Sequence, residues 1–172
     1  MITRREQSIN AIIARLPDRQ HVVVSNREPY VHKRTRRGTV VERPPGGLVA
    51  ALDPMMQATG GVWIAWGSGS ADREVVDARD HVWVPPEDPR YVLRRVWLPP
   101  DVVERYYYGY ANQALWPLCH MAVDKARFRR SYWDGYVEAN RIFAAATAEE
   151  AATGAFVWVQ DYHLALAPRQ IS

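Results

Sequence analysis

His21-Val22-Val23-Val24-Ser25-Asn26-Arg27, answered across a polar stretch by Pro44-Pro45-Gly46-Gly47-Leu48-Val49-Ala50-Ala51-Leu52, decides how this chain folds. Val22, Val23 and Val24 form a short β-branched apolar run that suits a strand buried on both faces of a parallel sheet. The run ends in Ser25-Asn26-Arg27, so a cation stands where the strand stops. Beyond Gly46-Gly47, residues Leu48, Leu52, Met55 and Met56 share one helical face, and Pro54 is expected to kink or end that helix early. Ligands of open α/β sheets bind beyond the carboxyl ends of the strands, which puts Arg27 and the two glycines at one edge. Paired glycines at a helix start let backbone amides approach an anion, and the helix dipole favours negative charge there. A plain turn beside a solvated arginine is the other reading these residues allow.

Downstream the alternation continues. The polar stretch from Glu28 to Arg43 is expected to be a long loop. Val62-Trp63-Ile64-Ala65-Trp66, His81-Val82-Trp83-Val84, Tyr91 to Leu98, and Phe156-Val157-Trp158-Val159 are expected strands. Prolines 85, 86 and 89 favour placing the middle two toward a sheet edge. Residues 71–80 are charged and expected to be exposed. Helices are expected over residues 5–16 and after Asp101. A third should run from the Ser131/Asp134 region toward Thr153, with Tyr136, Asn140, Phe143 and Thr147 on one stripe and Gly154 as its stop. Asp101 with Glu104 matches a capping box, and Ser131 with Asp134 a second cap. The rings between Tyr106 and Trp116 are too many for one core stripe, so some belong at a cleft. These features predict an α/β fold, a mostly parallel sheet flanked by helices.

The chain has 172 residues, 48% hydrophobic and 24% charged, enough for one domain with a substantial core. The net charge is only +3, but Lys33, Arg34, Arg36 and Arg37 cluster. That cluster is a solvated loop or an attractor of phosphorylated ligands, and no nucleic-acid motif accompanies it. One cysteine, Cys119, excludes an intrachain disulfide framework. No apolar run is long enough to span a membrane, and no apolar signal core follows the first charges; a cytoplasmic setting is expected. The five histidines lack zinc-type spacing, so no metal or other cofactor is expected.

Two strands end in polar groups, the first in Arg27 and the last in Gln160-Asp161-Tyr162-His163. Converging at one edge, they suit an anionic, hydroxyl-rich ligand. Arginine grips phosphate through paired hydrogen bonds, a carboxylate accepts from sugar hydroxyls, and aromatic rings lie against sugar C–H faces.

Taken in order, Val23-Val24-Ser25-Asn26-Arg27, Gly46-Gly47-Leu48, Gly61-Val62-Trp63-Ile64-Ala65-Trp66, Tyr106-Tyr107, Asn112, Leu115-Trp116-Pro117, Tyr132-Trp133-Asp134-Gly135-Tyr136, Asn140 and Asp161-Tyr162-His163-Leu164 closely resemble the N-terminal domain of trehalose-6-phosphate synthases. Those are retaining glycosyltransferases of family 20 with two Rossmann-like domains, the GT-B architecture. The resemblance covers nearly the whole chain from residue 21. It implies transfer of glucose from UDP-glucose, or a related nucleotide sugar, to glucose 6-phosphate. It implies Arg27 at the acceptor phosphate, Tyr107, Trp116, Asp161 and Trp66 around the acceptor sugar, and the Gly46 and Gly47 amides against the donor. His163 then supports the structure, and no side chain is assigned a catalytic role. Small-molecule substrates are the implied partners, with no nucleic acid and no membrane.

Gln160 departs from the pattern, standing where many relatives carry histidine. By the same resemblance, residues 1–172 are expected to be a truncated acceptor-binding domain whose donor-binding domain is absent, unable to turn over alone. A stand-alone sugar-phosphate-binding module, or a transferase acting on glycerol 3-phosphate, are the alternatives.

Overall fold

The computed structural model describes residues 19–171, so the helix expected over residues 5–16 lies outside the described residues. Five strands form the central sheet in the order β5-β6-β4-β1-β7: β1 (His21–Ser25), β4 (Val62–Trp66), β5 (His81–Val84), β6 (Tyr91–Val96) and β7 (Phe156–Val159). β1 pairs in parallel with β4 and with β7, β4 pairs in parallel with β6, and only the edge strand β5 runs antiparallel. The triple valine lies on an interior strand, between β4 and β7, with every β1 residue buried.

Alternation along the strands feeds two cores. Val22, Val24 and Ile64 face a cluster with Val102, Tyr106, Tyr136, Ala139 and Phe143. Val23, Trp63, Ala65 and Leu93 face the opposite way, onto Leu52, Met55 and Met56. The latter belong to α1 (Gly47–Thr59), which covers one face. The other face is covered by α2, one helical segment over residues 100–119, and α3 (Arg130–Glu150). A short α4 (Ala167–Ile171) follows β7.

Several sequence expectations are corrected. The stretch from Glu28 to Arg43 contains an antiparallel hairpin, β2 (Val31–Thr35) and β3 (Gly38–Glu42), paired from Val31↔Glu42 to Thr35↔Gly38. It projects from the sheet with most residues exposed, so the burial alternation that marks a strand is missing. α1 runs through Pro54 to Thr59, because Leu52, Asp53, Met55 and Met56 are all buried around the proline. Residues 71–80 are not uniformly exposed: Ala71 and Asp72 are fully buried, with Asp72 opening a single 3₁₀ turn. Neither expected cap forms. α2 begins at Pro100, where a proline's missing N–H is harmless, and Asp101 pairs instead with Arg105 at 2.6 Å. α3 begins at Arg130, which pairs with Asp134 at 2.9 Å. α3 ends at Glu150, before Gly154, and Gly154 takes a left-handed turn beyond it.

α2 and α3 approach each other closely at Gly135. A Cβ on Gly135 would stand 2.5 Å from the Arg105 Cβ and 3.2 Å from the Tyr106 backbone nitrogen. Gly to Ala inside a helix ordinarily stabilises by about 1 kcal/mol. Here the clash is with groups that cannot swing away, so overpacking wins. Gly135→Ala is expected to destabilise the fold by about 1–3 kcal/mol, read as a lower urea midpoint with unchanged m-value.

Candidate functional site

At the carboxyl ends of β1, β4 and β7 the chain leaves a groove centred on Arg27. A hollow of about 490 Å³ is lined by Arg27, Tyr107, Asn112, Trp116, Asp161 and Tyr162, with His163 behind. One of about 380 Å³ shares Arg27 and Tyr107 and adds Pro44, Trp66 and Ser68. One of about 200 Å³ runs from Arg27 and Asp161 to Gly46 and Gly47. Every site residue expected from sequence therefore borders one contiguous groove, with Arg27 common to its three parts. A separate hollow of about 380 Å³ beside Trp97 carries none of them, and its Arg94 is already neutralised by Asp80 at 3.0 Å and Glu149 at 3.2 Å.

Arg27 is exposed, and among the described residues no hydrogen bond or ion pair engages its guanidinium. Its backbone is held: Ser25 Oγ donates to the Arg27 carbonyl at 2.6 Å, and the buried Tyr106 hydroxyl donates to Asn26 Oδ1 at 2.9 Å. The result is an open cation on a fixed stem, the arrangement an anion needs. Gly46, at φ 155°, caps α1 and has no side chain to accept from the amides of the helix's first residues.

The aromatic wall depends on an unusual helix. Within α2, residues Glu104–Leu115 wind as a π-helix, and the Trp116 amide still bonds back to the Ala111 carbonyl. Tyr107 and Trp116 lie nine positions apart, about 2.5 turns of ordinary α-helix, which would set them on opposite faces. With i→i+5 bonding the turn is wider, and Tyr107, Asn112 and Trp116 come to one side. Tyr106, Gly109, Ala111 and Ala114 take the buried side. This winding was not foreseen from sequence; the spacing of Tyr107, Asn112 and Trp116 was its signal. Asn112 and Tyr162 also line the groove without having been singled out for a role.

Asp161 follows β7 in a strained conformation, φ 76° and ψ 164°, territory that glycine alone occupies freely. Its carboxylate accepts from the Tyr162 amide at 2.7 Å and lies 3.5 Å from His163 Nδ1. The segment after it is clamped from α3. Tyr136 Oη donates to the Tyr162 carbonyl at 2.6 Å and accepts from the Ala165 amide at 3.1 Å. Asn140 donates to the His163 carbonyl at 3.2 Å and accepts from the Leu166 and Ala167 amides, each at 3.1 Å. The Tyr136/Asn140 stripe seen in sequence is thus a clamp as well as a core face. Burial pushes the Tyr136 and Tyr162 phenols up to about 12, so both stay neutral hydrogen-bonding groups. His163 stacks on Tyr107, ring centroids 5.7 Å apart, and on Tyr162 at 4.2 Å, a supporting position.

The basic cluster sits on the hairpin and lines none of this groove. Lys33 pairs with Glu42 at 2.6 Å and Arg34 with Glu74. Among the described residues no group of three or more His, Cys, Asp or Glu could hold a metal ion, and no helix is long and apolar enough to cross a membrane.

A family model described as glycosyltransferase family 20 matches residues 19–172. A trehalose-6-phosphate synthase of Mycobacterium ulcerans is 43% identical over 155 residues, covering 90% of this chain and 30% of that protein. The crystal structure of an alpha,alpha-trehalose-phosphate synthase (UDP-forming) from Burkholderia vietnamiensis matches with a TM-score of 0.65 at 28% identity, over 88% of this chain and 29% of that one. A structure from E. coli, bound with UDP-2-fluoro glucose, gives 0.66 at 27% identity, over 88% and 30%. The chain therefore spans about 30% of the length of the curated relatives it matches.

Two outcomes follow from the geometry around Asp161 and His163. Burial, with Arg27 acting the same way and Asp161 opposing, holds the His163 pKa below its ordinary 6.5. The unfolded chain then binds the extra proton first as pH falls, so this part of the stability is present above about pH 6.5 and is lost below it. Thermal melts are expected to fall more steeply between about pH 6.5 and 5 in the wild type than in His163→Gln. Asp161→Gly relieves the strained backbone while losing one amide bond; urea unfolding is expected to show stability at or up to about 1 kcal/mol above wild type.

Proposed function

The chain belongs to glycosyltransferase family 20, and we propose that it carries the acceptor-binding side of a trehalose-6-phosphate synthase. The reaction is transfer of glucose, with retention, from UDP-glucose or a related nucleotide sugar to glucose 6-phosphate. The observation that carries this reading is Arg27: an exposed cation without a hydrogen-bond or ion-pair partner among the described residues, facing Asp161 across a groove walled by Tyr107 and Trp116. Arg27 takes the acceptor phosphate. Asp161 accepts from the sugar's hydroxyls, and Tyr107, Trp116 and Trp66 bound the ring. The uncapped start of α1 at Gly46-Gly47 meets the donor.

The groove's own groups bind and orient; none is required to pass a proton. Neutral phenols at Tyr162 and Tyr136 and a supporting His163 suit that division. The acceptor hydroxyl attacks the anomeric carbon on the face the diphosphate leaves, giving its proton to the departing diphosphate, and catalysis rests on positioning and charge stabilisation. No resident cofactor enters this scheme. The one exposed cysteine fits a cytoplasmic, reducing setting.

Titration calorimetry with glucose 6-phosphate tests the acceptor site. Wild-type chain is expected to bind, and Arg27→Ala to weaken binding about 10- to 100-fold, as for loss of a charge-assisted contact. Glycerol 3-phosphate is expected to bind more weakly, having no ring for Tyr107 and Trp116 to flank. No heat with glucose 6-phosphate at millimolar concentration, or an Arg27→Ala variant that binds unchanged, would overturn the reading.

A further inference from the structure

Next to Arg27 in the chain, Glu28 lines the groove at one side and belongs on the other to a buried charge cluster to which no role has been given. Arg95, in β6, is fully buried; around it Glu28 is 2% exposed, Asp72 0% and His32 4%. The Arg95 guanidinium pairs with Glu28 and, at 3.0 Å, with Asp72. It also donates to the Tyr30 carbonyl at 2.9 Å and meets His32 Nδ1 at 2.9 Å. Each carboxylate is tied in turn to the loop after β4. The Ser68 amide and hydroxyl donate to Glu28 Oε1 at 3.1 and 2.9 Å, and the Gly69 amide donates to Asp72 Oδ2 at 2.6 Å.

Arg27 and Glu28 are neighbours on the strand exit, one exposed in the groove and the other buried. Without Arg95, the Glu28 carboxylate would be an unpaired anion on the residue next to Arg27, lining the same hollow. Paired with Arg95 and spent on Ser68, it is withdrawn from Arg27 and instead nails the backbone on which Arg27 stands. The same bonds fix Ser68, which lines the groove with Arg27 and Trp66.

We propose that Glu28, locked by Arg95, is a positioning residue that keeps Arg27 both placed and unpaired for the phosphate of the acceptor. The proposal rests on the acceptor reading of Arg27 given above.

A double-mutant cycle on glucose 6-phosphate affinity, measured on the whole chain by calorimetry, tests it. Glu28→Gln keeps an acceptor for Ser68 but loses the charge that holds Arg95. It is expected to weaken binding about tenfold alone, and by no more than about twofold once Arg27 is already alanine. Combined with Trp116→Ala, at the sugar end, its effect is expected to multiply in full. A purely structural role would weaken all three backgrounds alike. Arg95→Lys, which keeps one buried cation but cannot span Glu28 and Asp72 together, is expected to show the same dependence on Arg27 and covers the case in which Glu28→Gln does not fold. A Glu28→Gln effect that is absent, or that persists undiminished in Arg27→Ala, overturns the proposal while leaving the acceptor site standing. An Arg27→Ala variant that itself binds normally removes the acceptor reading, and the proposal with it.

Discussion

The width of one helical turn governs this groove. α2 must bury Tyr106, Gly109, Ala111 and Ala114 against α3 and the sheet while presenting Tyr107, Asn112 and Trp116 outward. No α-helix divides those residues that way, because 3.6 residues per turn rotates Trp116 to the far side from Tyr107. The π-winding of residues Glu104–Leu115 resolves the conflict. Wide turns are poor in isolation, so tertiary contacts must hold this one. Gly109 lets the Tyr132 ring approach where any side chain would block it, Gly135 does the same for Arg105, and the Tyr106 hydroxyl reaches across to Asn26 beside Arg27. Core packing and groove geometry are therefore one problem with one solution.

Charge is handled by the same economy of burial. Two ionic clusters flank the sheet's functional edge. One is the Arg95 group, which holds Glu28 next to Arg27 in the chain. The other centres on Asp53, fully buried in α1, which accepts from Tyr91 at 2.7 Å, from Gln57 at 2.8 Å and from Tyr30 at 3.2 Å, with Arg43 closing the cage. Burial and the Asp53 charge push the Tyr30 and Tyr91 phenols upward, so both stay protonated and donate to Asp53. Burying such groups adds little net stability, since desolvation consumes most of the Coulombic gain. Their value lies in geometry: a carboxylate with several mandatory partners tolerates few backbone arrangements. The Asp53 cage joins α1 to the hairpin exit at Arg43, just ahead of Gly46 and Gly47. The Arg95 cluster joins the β1 exit to the loop after β4. Those are the segments whose positions define the groove.

The sheet was legible because its signals are redundant. Val22 to Val24, Val62 to Trp66 and Phe156 to Val159 carry both β-branched composition and flanking turns, and their parallel order follows from the helices between them. Arg27 and Asp161 were legible as polar residues placed immediately after buried strands. The hairpin was not, since beyond Val31 and His32 its residues are exposed, and strand reading from sequence depends on burial. The caps at Asp101 and Ser131 misled for a related reason. An acidic or hydroxyl residue followed three positions later by a carboxylate has equally good uses as an i,i+4 ion pair, and Asp101 and Asp134 took that use with Arg105 and Arg130. Asp72 and Glu28 look like surface charges in sequence; only the arrival of Arg95 from a distant strand makes their burial possible.

Asp161 shows how these constraints meet. A non-glycine residue at φ 76° and ψ 164° costs about 1–3 kcal/mol and persists only where its surroundings leave no alternative. Tyr136 and Asn140 leave none, holding the carbonyls of Tyr162 and His163 and the amides of Ala165 to Ala167 from a helix that is itself locked against the π-wound segment. The strain could be relieved by glycine at no steric penalty, yet the position carries a half-exposed carboxylate at the groove's rim. A carboxylate kept there against the preference of its own backbone stands in the hollow that Arg27 also lines, and that pairing of anion and cation across one groove is what the proposed binding of a ligand with an anionic end and a hydroxyl-bearing end builds on.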